Sequence, residues 1–423
     1  MNYPDSVQFL YALGNEIKTA KFGLERIRAT LEGLGRPQDR CRFVHVAGTN
    51  GKGSTCAMIE SGLRAAGRRT GLFTSPHLSE PTERIRLDGR AVSAERFTGA
   101  FNRVHAAVED LLARGAIDLH ATYFETVTAM ALSIFAEEAL DTVVLEVGLG
   151  GRLDATNVVQ PELCVITPID FDHERYLGRS LESIAGEKAG ILKPGVPAVF
   201  AGQRPEAAAV LGERAREVGA RVIRTAERQI RELKLTARGS RFSVDPNLSI
   251  YCPLAGAHQV ENALTAAIAL EELGAPRDAI EAGIARTEWA GRLERVWESP
   301  EIILDGAHNP AGARALAAYI DRFYAGRRVL LILGAMRDKA VAEIGGILFP
   351  RAERVIVTAP RQVRAIAPES LLDVADHAGA TVAPAIEAAL EQVWKLPSDW
   401  VVFIAGSLYL VAEARAVIIG AHR

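Results

Sequence analysis

The sequence predicts an α/β protein with two doubly wound domains, and three observations carry that prediction. From Phe43 onward, short β-branched runs alternate with helical patterns, the rhythm of a mostly parallel sheet covered by helices. Between about residues 221 and 252 the rhythm becomes strand-like alternation, Leu233 and Leu235 and then Phe242 and Val244, around a predicted hairpin loop at Arg238, Gly239 and Ser240. This reads as a small antiparallel insert within the first domain. After Ala290, Gly291, Arg292 and Leu293, which read as a hinge, strand patterns restart at 302–304, 329–333, 355–357 and 400–404, with a helix near 311–323. At about 100 to 200 residues per domain, 423 residues suit a first domain at 1–290 and a second, Rossmann-like α/β domain at 294–423.

Composition narrows the function classes. With 49 Lys and Arg against 52 Asp and Glu, a nucleic-acid binder relying on bulk positive charge is not expected. The 48% apolar content argues against a disordered chain. Cys41, Cys56, Cys164 and Cys252 lie far apart with no C-x-x-C pair, so neither a zinc knuckle nor a disulfide framework is suggested, and a reducing cytoplasm is expected. Asp5 and Glu16 stand where a signal peptide needs a basic start and an apolar run, and no stretch approaches 18 apolar residues. Secretion and membrane insertion are therefore not expected, and with no distinct apolar surface pattern a monomer is the default.

The first strand, at 43–46, runs into Ala47, Gly48, Thr49, Asn50, Gly51, Lys52, Gly53, Ser54 and Thr55. Beyond them Ile59, Leu63 and Ala66 mark one face of a helix that Gly67 closes, before a second strand ending at Phe73. Three glycines let backbone N–H groups wrap a phosphate, the helix N-terminus adds its positive end, and Lys52 supplies a mobile charge. This is a P-loop-type arrangement, with a nucleoside triphosphate as the expected ligand. It departs from the literal G-x-x-x-x-G-K-[ST] pattern, because the first interval is shorter and Gly53 separates Lys52 from the hydroxyl. The plainer alternative is a Gly-rich turn that serves only topology. Gly148, Gly150 and Gly151 do not make a dinucleotide fingerprint, since the third glycine would fall on Leu153 and no helix pattern follows.

A helix at about 122–140, with Phe124, Val127, Ala131, Ile134 and Phe135 on one face, leads to an apolar strand that reaches Glu146. An acidic residue at that place beside a phosphate loop suits a magnesium ligand; a cap or salt-bridge partner is the alternative. The run at 163–167 stops at Pro168, so Asp170, Asp172 and His173 should follow a strand's C-terminal edge, where open α/β sheets bind ligands. His173 is either a ligand or a structural histidine. Lys188 has small and apolar neighbours; it is either a desolvated, reactive amine or a surface lysine lying along apolar ground.

Together these residues resemble a known family. The strings 46–54, 74–78, 146–157, 187–191 and 305–310 resemble folylpolyglutamate synthase and dihydrofolate synthase, ATP-dependent amide-forming enzymes of the Mur ligase type, and the resemblance runs from Gly23 to Tyr409. It implies that Thr49, Asn50, Gly51, Lys52, Gly53 and Ser54 hold the phosphates of ATP, and that Ser75, Glu146 and His173 ligate Mg2+. Lys188 corresponds to the family's carbamylated lysine. Asn262 corresponds to an adenine-side contact, Arg292 to an arginine that reaches the phosphates, and Asp305 and His308 to nucleotide contacts from the second domain. ATP is then expected between the two domains. A pterin-bearing substrate is expected against Phe22, Gly23 and Leu24, Thr122, Tyr123, Phe124 and Glu125, and Leu153, Asp154 and Ala155. Phe124 offers an apolar face and Asp154 an acceptor for paired N–H donors; a core phenylalanine and a turn aspartate are the alternatives.

The implied reaction activates a carboxylate with ATP, Lys52 and Arg292 offsetting the developing charge, and the amine of L-glutamate then attacks the acyl phosphate. The string from Gly151 to Asn157 is similar to that of bacterial enzymes acting on both dihydropteroate and reduced folates, so the bifunctional reading is expected, with either monofunctional synthase as the alternative. Ala340 after Asp338 and Lys339, and the stretch 79–82, depart from the family's usual pattern, away from the phosphate loop. A Mur-type cell-wall ligase is disfavoured by Gly53 and Ser54 where that branch carries two threonines. A nucleotide-dependent switch is disfavoured by the lack of an N-K-x-D string.

Overall fold

The computed structural model describes residues 1–13, 23–374 and 377–420. Packing divides the chain into two units, Met1–Ile169 with Arg179–Gln229 and Glu261–Arg286, and Asp170–Gly178 with Ile230–Val260 and Thr287–Arg423.

The first unit is built on strands β1 (Phe43–Ala47), β2 (Thr70–Phe73), β3 (Ile85–Leu87), β4 (Arg90–Ala91), β5 (Thr142–Glu146), β6 (Leu163–Ile166), β7 (Ala198–Phe200) and β8 (Val222–Arg224). Their order is β4-β3-β2-β5-β1-β6-β7-β8. The six strands from β2 to β8 in that order run parallel, and β3 and β4 add an antiparallel edge. Every residue of β1, β5 and β6 is buried, which is why these strands read as unbroken apolar runs rather than as alternation. The expected antiparallel stretch begins later than residue 221: β8 closes the parallel sheet, pairing Val199 with Ile223.

Strand β1 lies between β5 and β6, pairing Val46 with Glu146 and Ala47 with Ile166. From β1 the chain crosses to one side, and from β6 it continues on the other. This reversal opens a crevice at the C-terminal edge of the strands. The loops after β1, β5 and β6 meet there.

The helix after β1, Lys52–Ala65, is held by a close crossing with helix Arg277–Ala285. A Cβ on Gly283 would meet the Gly62 nitrogen at 2.6 Å and the Ser61 carbonyl oxygen at 2.7 Å. Only hydrogen at residue 283 lets the helices approach so far, and Ser61 Oγ seals the contact by donating to the Gly283 carbonyl at 2.7 Å.

The second unit carries a three-stranded antiparallel sheet, β9 (Ile230–Thr236), β10 (Gly239–Val244) and β11 (Leu248–Cys252). The sequence placed this insert in the first domain; its packing belongs to the second unit instead, as does that of Asp170–Gly178. One reason is visible at the hairpin, where the Tyr319 hydroxyl donates to the Ala237 carbonyl at 2.7 Å. The larger sheet comprises β12 (Glu294–Glu298), β13 (Glu301–Leu304), β14 (Arg328–Leu333), β15 (Arg354–Val357), β16 (Ala380–Val382) and β17 (Trp400–Ala405), in the order β12-β13-β17-β14-β15-β16. All but the edge strand β12 are parallel. Among the described residues no helix is long and apolar enough to cross a membrane.

The helix crossing yields a stability test. Gly283→Ala forces a methyl against backbone that cannot rotate away, and urea unfolding should read a loss of about 1–3 kcal/mol. Gly186→Ala, in a helix where a Cβ meets nothing within 4 Å, should instead be neutral or stabilising by up to about 1 kcal/mol. Equal behaviour of the two variants would contradict the close crossing.

Candidate functional site

In the first unit the loop after β1 rests on the end of β6. The Thr49 and Asn50 N–H groups donate to the Pro168 carbonyl at 3.0 and 3.3 Å. Those two bonds fix the loop on the strand end. Gly51, with φ +84, turns the chain into the helix, and a side chain there would collide with the amide of buried Asn262. Lys52, Gly53 and Ser54 form the first turn of the helix. A helix start carries the positive end of the helix dipole. Lys52 Nζ curls over the loop, donating to the carbonyls of Gly48 and Thr49 at 3.1 Å each.

Glu146, at the end of β5, is 4% exposed. Its Oε2 accepts the Ser75 N–H at 3.0 Å, which brings the Ser75 residue to the carboxylate. A buried carboxylate with a neighbouring hydroxyl-bearing residue is the hard oxygen donor set that magnesium takes. Lys188, near the end of helix Leu181–Ala189, is buried as well, and its Nζ donates to the Gly48 carbonyl at 2.9 Å. Its helix approaches the 148–151 loop so closely that a Cβ on Gly151 would meet the carbonyl oxygens of Glu187 and Lys188 at 2.9 and 3.1 Å.

The residues named for a pterin form a second group in this unit. Glu125 caps its own helix by accepting the Thr122 N–H at 2.8 Å, and it pairs with Arg26 at 2.7 Å, both side chains nearly buried. Gly23 and Leu24 immediately precede the helix that carries Arg26. The ring of Phe124 lies over Gly148, where any side chain would overlap it. Leu153 is half-buried and Ala155 buried. Asp154 is already an acceptor within its own loop, for the N–H groups of Leu149 (2.8 Å) and Thr156 (3.0 Å) and for the Thr156 hydroxyl. Thr156 in turn accepts from His45 Nε2 at 2.8 Å. Burial, helped by the charge of Lys193, pulls the His45 pKa down to about 3, so this imidazole is neutral. Phe22 lies outside the described residues.

The second unit gathers a different cluster. Asp172 accepts from Lys339 Nζ at 2.6 Å and from Asn309 Nδ2 at 3.1 Å, with His308 Nε2 3.5 Å away. Burial alone would raise its pKa, but the hydrogen bond from His308 and the positive charges of Lys339, His308 and His173 hold the carboxyl well below the usual range. Of the three residues named for magnesium, Ser75 and Glu146 belong to the first unit and His173 to the second. His173 takes a left-handed conformation, φ +53, and its Nε2 stands 3.5 Å from Lys339 Nζ. Asp305 accepts the N–H groups of Leu293 (2.9 Å), in the stretch read as a hinge, and of Ala307 (3.0 Å) in its own loop. The Arg292 guanidinium turns back onto the Gly291 carbonyl at 3.0 Å.

Comparison with known proteins shows the family of the chain. Residues 46–270 match the Mur ligase middle domain and residues 291–408 the Mur ligase glutamate ligase domain. The chain is 36% identical over 411 residues to the dihydrofolate synthase/folylpolyglutamate synthase of Bacillus subtilis, covering 93% of this chain and 94% of that protein. The chain belongs to the folylpolyglutamate synthase/dihydrofolate synthase family. It is also 37% identical over 426 residues to a probable bifunctional folylpolyglutamate synthase/dihydropteroate synthase of Halobacterium salinarum, and spans 98% of itself but only 51% of that longer protein. A solved structure of Escherichia coli FolC in complex with DHPP and ADP superposes with a TM-score of 0.87 at 33% identity, over 100% of this chain and 99% of that one. Folylpolyglutamate synthases and dihydrofolate synthases are ATP-dependent ligases, and the chain is one of that class.

Sequence reasoning missed Lys339, Asn309 and Arg26 as partners of the acidic residues. Asp172 was visible past the end of β6, and Lys339 in its Asp-Lys pair, but nothing in their spacing joined them.

The His45 burial predicts a pH effect. A histidine whose folded pKa is near 3 against about 6.5 when unfolded binds its proton more readily in the unfolded state. Its contribution is complete above about pH 6.5 and lost as the pH falls toward 3. Denaturant unfolding of His45→Gln should therefore fall less steeply over this window than that of the wild type, by up to about 1.4 kcal/mol per pH unit. Parallel curves would contradict the neutral, buried imidazole.

Proposed function

We propose that this chain joins L-glutamate to dihydropteroate, giving dihydrofolate, and to reduced folates, lengthening their glutamate tails. The observation that carries the reading is the glycine loop at 47–53, anchored to the end of β6 and leading into a helix N-terminus beside buried Glu146, in a chain of this family. The relative's printed name and the string from Gly151 to Asn157 support the bifunctional form.

Thr49, Asn50, Gly51, Lys52, Gly53 and Ser54 bind the ATP phosphates, and Lys52 turns from its carbonyl partners toward them. Arg292, Asp305 and His308 are the second unit's nucleotide contacts, and Asn262 the first unit's contact to adenine. A substrate carboxylate oxygen attacks the γ-phosphorus, the bond to ADP breaks, and an acyl phosphate forms. Lys52 and Arg292 offset the charge that develops on the transferring oxygens. The neutral amine of glutamate then attacks the acyl carbon; the C–O bond to phosphate breaks, and the nitrogen gives its proton to solvent. Glu146 and Ser75 would hold magnesium, which supplies charge neutralisation on the phosphate oxygens when bound. His173 is the third proposed ligand. The neutral Lys188 amine adds to carbon dioxide with loss of one N–H proton, replacing a buried cation with a carbamate anion suited to a second metal ion. Thr122, Tyr123, Phe124 and Glu125 at the start of their helix, with Phe22, Gly23, Leu24, Leu153, Asp154 and Ala155, receive the pterin. We assign the reaction to the cytoplasm.

Purified protein given ATP, dihydropteroate and glutamate should form ADP, phosphate and dihydrofolate, and should also extend a reduced folate. ATP turnover independent of both acceptor and glutamate would overturn the ligase reading. Turnover with a reduced folate but never with dihydropteroate would overturn only bifunctionality. Lys52→Ala and Glu146→Gln should each lower kcat by about 10²–10³ with unchanged circular dichroism.

A further inference from the structure

We propose that His105, Glu109 and His120 form a binding site for a zinc-class divalent cation, separate from the ligase residues. Among the described residues this is the group of His, Cys, Asp and Glu side chains whose donor atoms all lie within 4.8 Å of one another. His105 and Glu109 stand one turn apart on helix Ala94–Ala113 and so share a face. His120 comes from the connection to the next helix, Tyr123–Glu137.

The geometry is nearly assembled. His105 Nδ1 and His120 Nε2 are 3.5 Å apart, and Glu109 Oε1 is 4.0 and 3.9 Å from them. Tetrahedral zinc with bonds of ~2.05 Å separates its donors by about 3.3 Å. The two nitrogens already stand close to that spacing. The remaining contraction falls to Glu109, whose side chain is 56% exposed and has room to move.

A second feature independently prepares the site. His120 Nδ1 lies 2.8 Å from the Ala121 carbonyl, which can only accept. The proton is thus on Nδ1, and the Nε2 lone pair faces His105 and Glu109. A backbone carbonyl that fixes the tautomer in this way is the usual outer support of a metal-bound histidine. Aromatic rings hold both imidazoles in place: His105 stacks on Phe101 with centroids 5.5 Å apart, and Phe9 sets its edge against His105 and His120 at 4.7 and 5.4 Å. A hydrogen bond between the imidazoles is a weak alternative at 3.5 Å and leaves Glu109 without a role.

Two imidazoles and one carboxylate are a known zinc donor set, with water at the fourth position. The bound ion would tie the 94–113 helix to the segment that enters Thr122, the cap of the helix bearing Tyr123, Phe124 and Glu125. Its role is structural, and none of its ligands belongs to the proposed ligase site.

The test uses tag-free, full-length protein stripped with chelator and titrated with ZnCl₂. Wild type should take up one tight equivalent, raising its Tm, and CoCl₂ should give the intense visible bands of a tetrahedral site. His105→Ala/His120→Ala should lose that equivalent and the Tm response, and Glu109→Gln should bind at least ~10-fold more weakly, while ligase turnover stays at the wild-type level in both. Equal zinc stoichiometry and affinity in wild type and the double variant would overturn the proposal. Should the double variant not fold, the cobalt spectrum of the wild type decides alone: weak octahedral bands would overturn the site.

Discussion

The loop after β1 can lie on the end of β6 only because residue 48 has no side chain; a Cβ there would overlap the Thr167 hydroxyl, itself buried and donating to the Ala47 carbonyl. From that contact the rest of the first unit's site follows. The Pro168 carbonyl collects two loop N–H groups. The Gly48 carbonyl, turned the other way, is the acceptor for both Lys52 and Lys188. One residue without a side chain therefore fixes the loop, the cation that belongs to it and a buried amine from another helix. The crossing of Gly62 and Gly283 holds the helix Lys52–Ala65 that follows the loop.

Charge in this molecule is local. The chain is nearly neutral overall, with a formal charge of −3, yet two of its buried carboxylates stand in matched sets. Arg26 meets Glu125, and Lys339, His308 and Asn309 meet Asp172. Each such set removes a buried charge that would otherwise be costly. The helix that begins after Gly51 adds the positive end of its dipole to the charge of Lys52.

Much of this was legible in the sequence because it depends on local rules. Fully buried parallel strands read as apolar runs, and the glycines at 48 and 51 mark places where a side chain cannot be accommodated. The family resemblance named the site residues. What could not be read is long-range. The hairpin at 237–239 lies between elements of the first unit in sequence but packs with the second, and Asp172 finds Lys339 across 167 positions of chain. Asp154 shows the remaining difficulty. Its acidity was visible, but the bonds it makes to Leu149 and Thr156 arise from the fold of its loop, and they give it a structural duty beside any role toward a ligand.

The central claim is that the loop after β1 presents a triphosphate for attack by a carboxylate. The most direct measurement follows oxygen. A dihydropteroate labelled with ¹⁸O in its carboxylate is turned over with ATP and glutamate, and the released phosphate is analysed by mass spectrometry. Transfer through an acyl phosphate predicts one labelled oxygen in each phosphate. Unlabelled phosphate, or release of AMP and pyrophosphate in place of ADP, would contradict the account.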